Sequence, residues 1–226
     1  HYHMDHLGQL TSALPEIPLY MGELSKEVAM IATEHQDKDL YLRLLDANIF
    51  RGGEAFTIGN IHIRPLVIDH SAVDSYMFVI GSEGKRVLYT GDFRMHGVRG
   101  HVLEKLIRTY IGDVDVLITE GTSLSRNAHD GISESEVLDD ISSYIQDGKY
   151  VFVMCSSTNI DRIMGIWHNM PTDKVLICDA YQKRILDTVI DNVYYDSSLY
   201  RRPDSPLVLD IGAYPKYYMD NGFVSL

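Results

Sequence analysis

Apolar and polar positions along the chain form short alternating runs broken by turn residues. Ala55 to Ile68 reads as a hairpin: AFTIG, a turn at Gly59 and Asn60, then IHIRPLVI, which alternates before becoming continuously apolar. SYMFVIGSEGKRVLYTGD repeats the theme, with two strands around Ser82-Glu83-Gly84. Upstream, LGQLTSAL begins a helical spacing, PLYMG is a short apolar run, and SKEVAMIATEHQ reads as a helix with Ser25 as N-cap. HVLEKLIRTYI reads as another helix and VDVLITEG as a further buried strand. The pattern predicts a mixed α/β layout with several antiparallel pairs.

The rhythm changes after about Ser125. SESEVLDDISSYIQDG (helix), KYVFVMCSS (strand), NIDRIMGIWHNM (helix), DKVLICDA (strand) and YQKRILDTVIDNVYY (helix) form regular βαβ units. Such units predict a small parallel sheet flanked by helices. From Asp196 to Leu226 the chain is rich in Tyr, Pro and Asp and carries a weak pattern. Two regions are expected, 1–125 and 126–226.

At 226 residues the chain is long enough for one large domain or two small ones. Its 45% hydrophobic and 23% charged content is ordinary for a soluble globular protein. No apolar run approaches the ~20 residues that span a bilayer, so no membrane association is expected. Cys155 and Cys178 lie in apolar, strand-like runs and read as buried free thiols of a reducing compartment, so the cytoplasm is the expected location. The net charge of −12 argues against broad binding to phosphate backbones. It leaves room for a nucleic-acid enzyme, because a carboxylate-built site counts as acidic until its cations are included.

Candidate chemistry is densest in HYHMDH, with three histidines and an aspartate within six residues. His1 and His3 alternate by two, so on an extended segment both imidazoles face one side. Asp5 and His6 follow where the chain turns into a helix and can point back to the same space. Imidazole with carboxylate suits zinc or a similar divalent ion; a polar surface turn or a tag remnant is the plain alternative. His70 ends the apolar run RPLVI, and Asp92 ends VLYTG in the same fashion. Either alone would read as a turn or cap residue; beside the opening cluster they read as ligands.

Other residues keep two readings. Arg94 suits a substrate phosphate or a structural ion pair. Ser156, Ser157, Thr158 and Asn159, between an apolar strand and a helix, suit phosphate at the helix N-terminus or an ordinary capping cluster. His96 suits a loop role near Asp92. His35, His62, His101, His129 and His168 lack ligand-like spacing. The tyrosines near the C-terminus suit packing or stacking on bases.

HYHMDH, the strand-end His70 in HSAVDS and Asp92 in TGDFR together resemble motifs two, three and four of the metallo-β-lactamase fold. The closer resemblance is to the β-CASP nucleases, the branch that includes ribonuclease J and the cleavage-and-polyadenylation endonuclease. VLITEGTSLSR is similar to that branch's motif A through Glu120, and CSSTNIDRI resembles the start of its inserted domain. The implied fold is a partial αββα metallo-β-lactamase domain followed by part of a Rossmann-like β-CASP domain.

The resemblance implies a zinc-dependent ribonuclease, endo- or 5′-exo-acting, in RNA processing or decay, with single-stranded RNA as partner. It implies two Zn2+ ions, with Mn2+ as the alternative. His1, His3 and His70 would hold one ion, Asp5 and His6 the other, and Asp92 would bridge them. A hydroxide between the metals would attack the phosphodiester, and Glu120 would orient a histidine that protonates the leaving oxygen or binds phosphate. A homo-oligomer is compatible with this family.

Pieces of the family pattern are not found in the chain. No strands precede HxHxDH, and no histidine follows Asp196 to supply motifs B and C. An internal fragment of a longer protein is therefore expected. Two other functions stay open: a metallo-β-lactamase-fold hydrolase of a small ester or thioester, and a non-catalytic RNA-binding pseudo-nuclease subunit. The βαβ region disfavours the first, and the intact motifs disfavour the second.

Overall fold

A β-meander organises the first half of the chain. β3 (Phe56–Ile58), β4 (Ile61–Ile68), β5 (Ser75–Ser82) and β6 (Lys85–Tyr89) pair antiparallel in sequence order. Glu83 and Gly84 both take positive φ, 50° and 76°, which matches the right-handed twist of the strands they join. In this computed structural model, residues 1–122, 124, 131–195, 198–204, 207–209 and 222–226 are described. Among them the chain divides into two units, His1–Ile132 and Ser133–Leu226. The 125–126 boundary, His129 and the tyrosines Tyr214, Tyr217 and Tyr218 lie outside the described residues.

In the first unit β7 (Val116–Ile118) joins β6 in parallel and completes the order β3-β4-β5-β6-β7. The crossover is one helical stretch: a 3-10 turn at Gly100–Val102, α4 (Leu103–Leu106) and a π turn at Ile107–Ile111. Leu103 and Ile111 from that stretch pack on Leu66, Ile68, Met77, Val79 and Leu88 of the sheet, where Phe93 and Val114 join them. Burial of this apolar face fixes the helix over the strands. A second, two-stranded parallel sheet pairs β1 (Tyr20–Gly22) with β2 (Asn48–Phe50). α2 (Glu23–Thr33) and α3 (Lys38–Leu45) form the connection, and Leu24, Val28, Leu40 and Leu44 are fully buried on them.

Three local readings are corrected. The helical stretch begun at LGQLTSAL is only α1 (Met4–Leu7) and a 3-10 turn at Leu10–Ser12, since Pro15 blocks its continuation. Ser25 is not the N-cap of α2, which is Gly22. Ser25 sits buried in the first turn, where its backbone N–H donates to Asp74 Oδ2 at 2.8 Å and its hydroxyl donates to Asp74 O at 2.7 Å. The anionic carboxylate at a helix N-terminus takes over the capping role. β7 is not buried: Val116, Leu117 and Ile118, at the end of the strand order, are 48%, 56% and 49% exposed.

The second unit is a four-stranded, all-parallel sheet in the order β10-β9-β11-β8. Its elements are α5 (Glu134–Asp147), β8 (Tyr150–Phe152), α6 (Ile160–His168), β9 (Val175–Cys178), α7 (Ala180–Asn192), β10 (Leu207–Leu209) and β11 (Phe223–Ser225). Ser133 and Glu136 form a reciprocal capping box on α5, and the Asp179 carboxylate caps α7 through the Gln182 N–H. Ile160, Ile163, Met164 and Trp167 of α6 and Ile185, Leu186 and Val189 of α7 are fully buried with β9. The last two strands fall in the stretch of weak pattern, three residues each and so too short to show a period. Cys155 and Cys178 are both free thiols, but only Cys178 is fully buried; Cys155 is half-buried.

Candidate metal centre

Three chain segments of the first unit bring the ligand-type residues together. The first is the N-terminal turn. Its alternation sends Tyr2 to the side opposite His1 and His3, where Tyr2 is buried. There the Tyr2 hydroxyl accepts the backbone N–H of Val73 at 2.9 Å, tying this turn to the loop after β4. The N–H groups of His6 and Leu7 both donate to His3 O, at 3.0 and 3.1 Å, so the chain coils at once and swings His6 back beneath His1. The His1 and His6 ring centroids are 4.1 Å apart.

The second segment is the loop after β4, which presents His70. Its Nε2 lies 3.3 Å from His3 Nδ1, and its ring centroid is 4.5 Å from that of His1. The third is the loop after β6. Thr90 N–H donates to Ile118 O at 3.0 Å, which ends the strand, and Gly91 then turns the chain with φ +57°. A Cβ at Gly91 would stand 2.9 Å from Tyr76 O, so both the conformation and the close approach require glycine. Asp92 follows, with Oδ2 3.0 Å from His6 Nε2 and 3.9 Å from His1 Nε2.

The ligand atoms form two groups that share His1: His1, His3 and His70, and His1, His6 and Asp92. Within each group they lie within 4.8 Å of one another. Asp5 belongs to neither; its side chain is 74% exposed, with Oδ2 3.6 Å from His6 Nε2. Glu120 accepts the backbone N–H of Phe93 on Oε1 at 2.8 Å, so it grips the loop one residue beyond Asp92. Phe93, Arg94, Met95, His96, Glu120 and Thr122 line an open cavity of about 310 Å3 beside that loop. Arg94 is engaged with the buried Asp69, Nε to Oδ1 at 3.3 Å, which answers to the ion-pair reading of this residue.

Burial lowers the pKa of both His3 and His70. His70 falls to about 4, with the neighbouring His3 adding to the effect of desolvation. Both rings are therefore neutral at neutral pH, the form that coordinates a metal. The donor set fits a divalent ion for a second reason. His1 Nε2 is buried and makes no hydrogen bond, although it is common to both groups. An orphaned buried nitrogen is costly unless something outside the polypeptide satisfies it.

In the second unit, Ser156 Oγ and Thr158 Oγ1 are 3.0 Å apart, and Asn159 N–H donates to Ser156 O at 3.0 Å. Asn159 is the N-cap of α6 by position but makes no side-chain capping bond, and its Oδ1 is buried without a hydrogen bond. The Ser157 carbonyl accepts from Gln182 Nε2 at 3.1 Å. The turn is thus held by bonds of its own and by Gln182 of α7.

Sequence reasoning gave no role to Tyr2 or Asp69, and took Asp74 only as part of HSAVDS. Asp74 takes φ 61° with its side chain fully buried, and its carboxylate accepts from Ser25 N–H and from the Tyr76 hydroxyl. The available signals were Tyr2's place between two ligand histidines and Asp69's place directly before a third.

The family model described as a β-lactamase superfamily domain matches residues 1–152. Ribonuclease J 2 of Streptococcus pyogenes serotype M3 is 26% identical over 173 residues, which are 74% of this chain and 31% of that protein. The chain thus spans about a third of that curated relative's length. A crystal structure of a protein of unknown function from Enterococcus faecalis V583 superposes with a TM-score of 0.70 at 14% identity, over 94% of this chain and 53% of that one. At that identity the likeness is one of fold. Among the described residues, no helix is long and apolar enough to cross a membrane. A family match over two thirds of the chain, on a mixed α/β fold whose donor groups cluster at the ends of β4 and β6, makes this chain a member of the β-lactamase superfamily.

Proposed function

We propose that the chain carries the metal centre of a ribonuclease: a hydrolase that cleaves phosphodiester bonds of single-stranded RNA with two zinc ions, or manganese in their place. The observation that carries this reading is the pair of donor groups sharing His1, one all imidazole and one with a carboxylate. The 26% identity to a ribonuclease J relative supports RNA as the substrate class. Free thiols at Cys155 and Cys178 suit a reducing, cytoplasmic setting.

In this reading His1, His3 and His70 hold one ion, and His6 with Asp92 holds the other. Asp5 would join the second set from the exposed side, where its Oδ2 is 3.6 Å from His6 Nε2. When bound, such ions supply an activated water at neutral pH and offset negative charge on the phosphoryl group. The protein's own part is to keep the imidazole donors neutral and all the donors spaced and aimed. Desolvation holds His3 and His70 unprotonated. Tyr2 fixes the turn that carries His1 and His3 by accepting the Val73 N–H. Glu120 fixes the Asp92 loop through the Phe93 N–H, a carboxylate acting one residue away from a ligand. Ser156, Ser157, Thr158 and Asn159 of the second unit would contact RNA phosphate, whereas Arg94 is engaged by the buried Asp69.

The test is metal analysis of the purified chain together with cleavage of a labelled single-stranded RNA. About two equivalents of zinc and loss of cleavage in Asp92→Ala are expected. A chain without bound metal, or cleavage unchanged in Asp92→Ala, overturns the proposal.

A further inference from the structure

His70 and Asp92 sit at the ends of β4 and β6, and these strands are not neighbours, because β5 runs between them. Two inter-strand spacings, about 10 Å, therefore separate the two strand ends. Donors of the two groups nonetheless converge on His1. Something must draw the two loops together over the end of β5 and hold them there.

The contact that spans this gap is made by Asp69 and Arg94, each close to a ligand: Asp69 directly precedes His70, and Arg94 comes two residues after Asp92. The Arg94 N–H donates to Asp69 O at 2.9 Å, and Arg94 Nε donates to Asp69 Oδ1 at 3.3 Å. The side chains are 1% and 10% exposed, so solvent screens the pair little. A third element encloses it. A Cβ placed on Gly97 would stand 2.2 Å from Asp69 Oδ2 and 2.3 Å from Arg94 Nε, so the chain closes over the pair only because residue 97 has no side chain.

We infer that Asp69 and Arg94 are a positioning pair that sets the spacing between the two donor groups and so determines whether the second ion is held. This rests on the metal-site reading above. The first group draws on the N-terminal turn and the His70 loop, whereas the second needs the Asp92 loop in register with them. Releasing the pair lets the Asp92 loop drift relative to His70. The second group then loses its carboxylate donor, while His1, His3 and His70 stay together.

The experiment is cobalt(II) titration of the metal-stripped chain, followed by visible absorption and equilibrium dialysis, for wild type, Arg94→Gln, Asp69→Asn and the double variant. Wild type is expected to take up two ions. Each single variant should keep the spectrum of the first equivalent and bind the second at least tenfold more weakly. The double variant should be no worse than either single one, since both disable the same side-chain contact and leave the backbone bond in place. A pair with only a structural role would lower the urea midpoint without separating the two equivalents. The double variant, neutral at both positions, keeps the test available if a lone buried charge prevents folding of a single variant. Variants that bind both ions within twofold of wild type overturn the positioning role. A wild-type chain that binds no cobalt overturns the metal-site reading, and the positioning role with it.

Discussion

The Phe93 N–H donates to Glu120 Oε1 at 2.8 Å, across from the loop after β6 to the end of β7. A strand exposed on every side chain thus contributes to the site through the residue that follows it, two positions past Ile118. The relation gives Glu120 a role that can be measured without substrate. Glu120→Ala should weaken binding of the second metal equivalent about tenfold and cost about 1–2 kcal/mol of stability, the penalty for a half-buried donor left without its acceptor. Glu120→Gln keeps an amide oxygen in place and should lie close to wild type in both. Cobalt titration and urea unfolding read the two quantities separately.

Tyr2 joins the N-terminal turn to the loop that carries His70. Tyr2→Phe removes the acceptor of the Val73 N–H in a buried position and leaves the ring packing intact. A loss of about 1–3 kcal/mol in chemical denaturation is expected, with metal affinity reduced for both equivalents, since His1 belongs to both groups. Unchanged stability would mean that the turn is held by other contacts.

Gly91→Ala places a Cβ at positive φ and 2.9 Å from Tyr76 O. The left-handed conformation alone costs about 1–2 kcal/mol, and the clash adds to it. The substitution moves Asp92 directly, so the expected signature is a lowered thermal midpoint with selective loss of the second ion. Gly53, also at positive φ but with nothing near its missing side chain, serves as the control and should show the conformational cost only.

Metal-free protein should be sensitive to mild acid. His70 titrates at about 4 in the fold and near 6.5 when unfolded, and His3 is shifted the same way by burial. Between these values the unfolded chain binds protons that the folded chain does not, so stability is complete above pH 6.5 and falls as the pH drops towards 4. Urea midpoints of the stripped protein at pH 7.5, 6 and 5 should decrease in that order. Two equivalents of zinc at pH 7.5 should raise the midpoint.

The features legible in the sequence were those carried by neighbours along the chain. HYHMDH declares itself because four of six adjacent residues are histidine or aspartate, and the two hairpins because strand alternation brackets glycine turns. β7 shows the limit of this logic. Val116, Leu117 and Ile118 are as apolar as any core strand, yet they are exposed at the sheet's edge, a placement that no local period encodes. Ser25 fails for a related reason. A serine before an acidic and apolar run resembles an N-cap, but Asp74, forty-nine positions away, occupies that role. The Asp69–Arg94 contact is also long-range, twenty-five residues apart, and neither residue type is distinctive in isolation.

The strand order of the second unit has a consequence for how that unit is made. β11 (Phe223–Ser225) lies between β9 and β8, although both are synthesised long before it. The two earlier strands cannot settle against each other without occupying the place of the third. The sheet therefore stays open along its middle until residues 223–225 arrive, and closing it brings together segments more than seventy residues apart. Loop closure of that length is slow. Until then β9, buried along its whole length in the finished sheet, is open to protease and chaperone alike. Pulse proteolysis during refolding should find the first unit protected early and the second late.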